Sequence, residues 1–134
     1  MKFLLRSIVI GVVLGSCAAQ SCPSLIWSDE FDGTALDAAK WSPQIGDGCD
    51  QGPGLCGWGN NELQYYTDNE NVEVSGGTLK ITAKRENKGD NLYTSARIRT
   101  LGLYDADLTQ PNIRLEARIK VPPGQGLWAA FWMM

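Results

Sequence analysis

The chain is predicted to fold as an all-β, antiparallel sandwich, and three observations point there. First, residues 113–121 put Ile113, Leu115, Ala117, Ile119 and Val121 at every odd position, with Arg114, Glu116, Arg118 and Lys120 between them. A helix would scatter those apolar side chains around its circumference, whereas a strand gathers them on one face. Second, residues 78–84 repeat the alternation, with Leu79, Ile81 and Ala83 on one side. Third, Asp32-Gly33, Ser75-Gly76-Gly77 and Pro122-Pro123-Gly124 interrupt the apolar stretches, so the strands are short and the turns frequent.

From the N-terminus, residues 1–19 read as a targeting segment. Lys2 and Arg6 precede an apolar core, residues 8–14, that is too short to span a bilayer, and small residues follow. Two cleavage readings stay open. A signal peptidase would cut after Ala19, or Leu14-Gly15-Ser16-Cys17 would act as a bacterial lipobox with Cys17 lipidated. Either way the protein is expected to be exported, as a secreted or cell-surface lipoprotein, with any membrane contact made through the lipid. Residues 20–134 form the folded domain.

Export allows cysteines to pair. Cys49 and Cys56 flank a Gly/Pro loop that a disulfide would rigidify, and loss of Cys17 would leave Cys22 odd. Residues 25–31 form a first strand, stopped by Asp32-Gly33. Residues 63–67, 72–74, 78–84 and 93–99 are further strands, followed by the alternating segment 113–121. Residues 127–134 are almost wholly apolar, as in a strand covered on both sides. An end so apolar is expected to need neighbours on both faces, which suggests that further sequence completes the sheet.

Composition narrows the chemistry. The formal charge is −3, with acids and bases interspersed, so no nucleic-acid surface is expected. With no histidine, the chain holds neither a Ser-His-Asp nor a Cys-His system, and zinc has neither imidazoles nor C-x-x-C pairs to bind.

Six stretches, in order, resemble glycoside hydrolase family 16, and in particular its laminarinase-like endo-β-1,3-glucanases. The strongest is Cys56-Gly57-Trp58-Gly59-Asn60-Asn61-Glu62-Leu63-Gln64-Tyr65-Tyr66-Thr67. The others are Trp27-Ser28-Asp29-Glu30-Phe31-Asp32-Gly33 with Trp41, Gly77-Thr78-Leu79-Lys80-Ile81-Thr82-Ala83, Ser95-Ala96-Arg97-Ile98-Arg99-Thr100, Glu116-Ala117-Arg118-Ile119-Lys120, and Gly126-Leu127-Trp128-Ala129-Ala130-Phe131-Trp132-Met133. Pro111-Asn112-Ile113 and Ala129 depart locally from the family's pattern. The resemblance covers the first half of such a domain, a two-sheet β-jelly roll of the concanavalin A-like kind, incomplete in this chain.

The resemblance implies a cleft lined by Asn60, Asn61, Arg97, Trp128 and Trp132, with Trp58 at its rim. Amides and a guanidinium suit sugar hydroxyls, and flat rings stack on sugar faces. Read as residues alone, Asn60 and Asn61 are turn residues and the tryptophans sheet core. The resemblance further implies a structural calcium in the full-length fold, at Glu30 and the Gly77 carbonyl, with no cofactor required for the chemistry. The implied reaction is retaining hydrolysis of internal β-1,3 or mixed β-1,3/1,4 glucosidic bonds by a monomer. Its two carboxylates, in Glu-x-Asp-x-x-Glu, are expected after Met134, so residues 20–134 alone should be inactive. A non-catalytic β-glucan-binding lectin on the same fold, or an enzyme acting on a marine galactan, are the alternatives.

Overall fold

The computed structural model describes residues 2–12, 24–105, 109 and 113–133, with backbone alone for most of the first segment. Cys17, the cleavage region, Cys22 and Met134 lie outside the described residues. The described residues contain strands and two short 3₁₀ turns, with no α-helix among them. The strands are β1 (Lys2–Val12), β2 (Ser24–Asp29), β3 (Ser42–Pro43), β4 (Gln64–Tyr66), β5 (Val72–Val74), β6 (Leu79–Thr82), β7 (Tyr93–Ser95), β8 (Ile98–Arg99) and β9 (Ile113–Lys120). This is the all-β architecture the alternation predicts.

The main sheet has five strands. Leu4 and Leu5 pair with both β6 and β9, which places those two strands on opposite edges of β1. Farther along β1, residues Ile8 to Val12 pair with β2 on the β6 side and with β9 on the other. β5 extends the sheet beyond β6. Thus the segment expected to act as a leader is, in the uncut chain, a strand paired on both edges. Ile and Val serve a buried strand as well as they serve an export signal. The sheet position describes the uncut chain, and the export expectation concerns its processing.

The core lies on one side of this sheet. Leu5, Phe31, Trp41, Val74 and Leu79 are buried, and Leu115, Ala117 and Ile119 of β9 pack against them from the odd positions. One carboxylate ties Trp41 to the end of β2. Asp29 Oδ2 accepts from Trp41 Nε1 at 2.7 Å, and its Oδ1 accepts from the Phe31 amide at 3.0 Å. Those bonds hold Phe31 at a left-handed φ of 55° with its ring 6.1 Å from that of Trp41. Trp27 meets Trp41 edge-on at 5.5 Å.

Three expectations are corrected. Residues 93–99 are not one strand. They divide into β7, which pairs with β4, and β8, which pairs with β3, and Ala96-Arg97 lie at the division. The β4–β7 pair is also parallel rather than antiparallel. Residues 127–133 form no strand, and Trp128, Phe131, Trp132 and Met133 are exposed. An apolar run states only that cover is needed, and no neighbouring strand in the described structure supplies it.

A disulfide joins Cys49 to Cys56 across the loop between the two 3₁₀ turns. Closing a loop of sequence separation 7 removes denatured-state entropy. Loop-entropy arithmetic sets this at about 2 kcal/mol. Reduction is therefore expected to lower the denaturation midpoint, an effect checked by urea titration with and without dithiothreitol. An unchanged midpoint would show that the loop is held by its hydrogen bonds alone.

Candidate functional site: a guanidinium between two tryptophans

The loop between β3 and β4 folds back on itself before the chain enters β4. Gly46 and Tyr66 exchange backbone hydrogen bonds at 2.9 Å in both directions. Gly48 permits the fold-back, since a Cβ there would lie 2.3 Å from the Leu55 carbonyl oxygen. Gly57 and Trp58 then both take left-handed conformations, at φ 59° and 54°. Such a backbone costs a bulky residue on the order of 1–3 kcal/mol, so its surroundings must fix it. The Trp58 indole N–H donates to the Gly46 carbonyl at 3.3 Å, and its ring lies 5.6 Å from that of Tyr66.

Arg97 reaches this ring from the division between β7 and β8. Its own carbonyl accepts from the Gln44 amide at 2.8 Å, which anchors the backbone. Its guanidinium carbon sits 4.5 Å from the centre of the Trp58 ring and 5.6 Å from that of Trp132. A guanidinium so placed gains from both ring quadrupoles, and its N–H donors lie in its own plane.

The other expected residues are placed as follows. Asn60 is exposed, and its Nδ2 donates to Glu62 Oε1 at 3.2 Å and to the Trp58 carbonyl at 3.3 Å. Asn61 is exposed in a left-handed turn at φ 57°, a conformation asparagine tolerates well. Trp132 joins the stack from a segment without regular structure, while Trp128 is 73% exposed. Among the described residues the strand expected over residues 127–134 is therefore absent, and of the two tryptophans only Trp132 meets Arg97.

Glu62, Gln64 and Tyr66 were not singled out from the sequence. Glu62 Oε2 accepts from Gln64 Nε2 at 2.7 Å and from the Tyr66 hydroxyl at 2.6 Å. The usable signal was their spacing, since alternate residues entering a strand share a face. Burial above all, and then the Glu62 carboxylate, holds the Tyr66 phenol above its ordinary value of 10.0, with Gln64 and Arg97 pulling the other way. The sign follows from linkage. The stabilising contribution of the neutral phenol is complete below the ordinary value and is lost as pH rises through it toward the raised one.

Glu30 and Gly77 lie elsewhere, beside β2. A Cβ built on Gly77 would be 3.8 Å from the Glu30 carbonyl oxygen and 3.7 Å from Asp32 Oδ1. These are oxygen donors of the kind calcium takes. Among the described residues, however, no three acidic, Cys or His side chains gather as a metal site. Calcium needs six or more oxygens, so these residues do not make a site by themselves. An open concavity runs from Ser28 to Lys40 past Glu30 and Asp32, and it shares no residue with the Arg97 stack.

The stack offers aromatic faces, in-plane N–H donors and neighbouring amides. These are the groups that bind a ring with an apolar face and a hydroxyl rim. No protein-family model matches the chain. It is 44% identical over 136 residues to a Beta-glucanase of Rhodothermus marinus, covering 97% of this chain and 43% of the relative. It is 42% identical over 124 residues to the Clotting factor G alpha subunit of Tachypleus tridentatus, covering 92% and 16%. Among solved structures, the laminarinase from Flavobacterium sp. UMI-01 superposes with a TM-score of 0.51 at 43% identity, over 60% of this chain and 32% of that one. The chain thus spans less than half the length of each of these relatives. The likenesses agree with the jelly-roll class expected from the sequence.

Proposed function

We propose that the chain is part of a laminarinase-like β-glucanase of glycoside hydrolase family 16, a reading supported by its likeness to named β-glucanases and laminarinases, and that the protein containing it hydrolyses internal β-1,3 or mixed β-1,3/1,4 glucosidic bonds. The observation that carries the reading is the Trp58–Arg97–Trp132 stack beside Asn60 and Asn61. Its residue types and in-plane donors suit a glucan chain laid along it. In the same proposal the reaction is retaining, with two carboxylates supplied from outside these residues. The protein acts as an exported monomer whose leader is residues 1–19, either cut after Ala19 or lipidated at Cys17. A structural calcium, if the full fold holds one, would take Glu30 and the Gly77 carbonyl as two of its oxygen ligands.

The test is release of reducing ends from laminarin by the protein containing this chain, with agar and porphyran as comparison polymers. Laminarin cleaved in preference to both supports the reading, and preference for a galactan overturns it. Tight laminarin binding without cleavage would establish a second reading, a glucan-binding protein without catalysis.

A further inference from the structure

We propose that Glu62 is a positioning residue for sugar binding: by accepting hydrogen bonds from Asn60, Gln64 and Tyr66, its carboxylate fixes the amide and aromatic groups that flank Arg97. The proposal rests on the glucan reading above and deepens it by adding a residue outside the expected cleft set.

The geometry begins with the backbone. The Gly57 carbonyl accepts from both the Asn60 and Glu62 amides at 3.0 Å. That turn brings Glu62 back toward Trp58. Residues 62, 64 and 66 then share a face as the chain enters β4. Three donors converge on the two oxygens of one half-buried carboxylate. All three come from within four residues of Glu62, so the carboxylate sets the shape of a single short segment. It acts through its neighbours.

Two of those neighbours face the candidate site. The Asn60 amide gives its Nδ2 to Glu62 and Trp58. Its carbonyl oxygen is thereby turned away from the carboxylate, where it can accept from a ligand hydroxyl. Tyr66, held through its hydroxyl, places its ring against Trp58, the indole on which Arg97 lies. A carboxylate can satisfy this arrangement because it only accepts. A neutral amide of the same size would present an N–H₂ to groups that are themselves donors.

The test is calorimetric binding of a β-1,3-linked glucose hexamer to the protein containing this chain, comparing wild type with Glu62→Gln, Asn60→Ala and the double variant. Glu62→Gln is expected to weaken binding about tenfold. The loss should be clearly smaller in the Asn60→Ala background, because the two share one effect. In activity assays the loss falls mainly on KM. Tyr66→Phe keeps the ring and removes one donor. It guards against a misfolded Glu62 variant and is expected to weaken binding about threefold. A lowered melting temperature with affinity within twofold of wild type, or fully additive losses, would overturn the positioning role. If wild type fails to bind the hexamer while Glu62→Gln still lowers the Tyr66 phenolate titration, the glucan reading is lost. The sugar role of Glu62 falls with it, and only its hydrogen bonds stand.

Discussion

Replacing Asn71 by alanine is expected to cost about 3 kcal/mol of stability, because its side chain satisfies two buried hydroxyls and a half-buried carbonyl on three different segments. Asn71 Oδ1 accepts from the Thr67 hydroxyl at 2.6 Å. Its Nδ2 donates to the Thr82 carbonyl at 2.6 Å and to Thr94 Oγ1 at 2.9 Å. Thr94 in turn donates to the Glu86 carboxylate. Asn71, Thr67 and Thr94 are all buried, at 2%, 1% and 0% exposure, so water cannot replace the lost amide without opening the structure. The amide thus joins the end of β4 to β6 and β7. The consequence reaches the site, since β4 carries Tyr66 and β7 leads directly into Arg97. Three-residue strands in a parallel pair have little stability of their own. Urea titration of the protein containing this chain measures the loss. A double-mutant cycle with Thr94→Val should give clearly less than additive costs. A loss below about 1 kcal/mol would mean that the three partners find other hydrogen bonds.

How much of this could be read before the structure depends on what each segment has to satisfy. Residues 113–120 were legible because strict alternation leaves one buried face and one register, and their burial does alternate residue by residue. Residues 79–82 followed from the same logic, with Leu79 wholly buried. The break at Ala96-Arg97 was not legible. Alternation continues through it, and periodicity does not reveal that a strand changes partner. The parallel pairing of β4 with β7 was hidden for the same reason. The segment 127–133 misled because apolarity alone cannot tell a strand from an exposed apolar segment. Residues 2–12 read as a leader and form a strand in the uncut chain, because one composition suits both. In the site, Arg97 and Trp132 came from the resemblance, and the structure brings them together. Glu62 escaped notice because an acid beside two asparagines in a turn reads as solvated. Its alternate spacing with Gln64 and Tyr66 was the one available sign, and the three converging donors come together only once the turn at Gly57 has folded.

Arg97→Ala is expected to weaken binding of a β-1,3-linked glucose hexamer about 30-fold, corresponding to about 2 kcal/mol for a charged, multiply bonded donor. The more informative change is Arg97→Lys, which keeps the charge. If charge alone mattered, lysine would restore most of the affinity. The geometry argues otherwise. The guanidinium lies 4.5 Å from one indole and 5.6 Å from another, a spacing that fits a flat group. A planar cation at these distances can lie against ring faces while its N–H groups stay in its own plane, whereas an ammonium presents three donors without a plane. Lysine should therefore recover only a few-fold of the loss. It should also release Trp132, whose exposed side chain is held over Arg97, so tryptophan fluorescence should change in the same variant. Full affinity in Arg97→Lys would make the stack an incidental contact and reduce Arg97 to a surface charge. Equal losses in both variants, with melting temperatures near wild type, would establish the guanidinium against its two rings as the recognition element, because lysine keeps the charge but has neither the plane nor the five N–H donors.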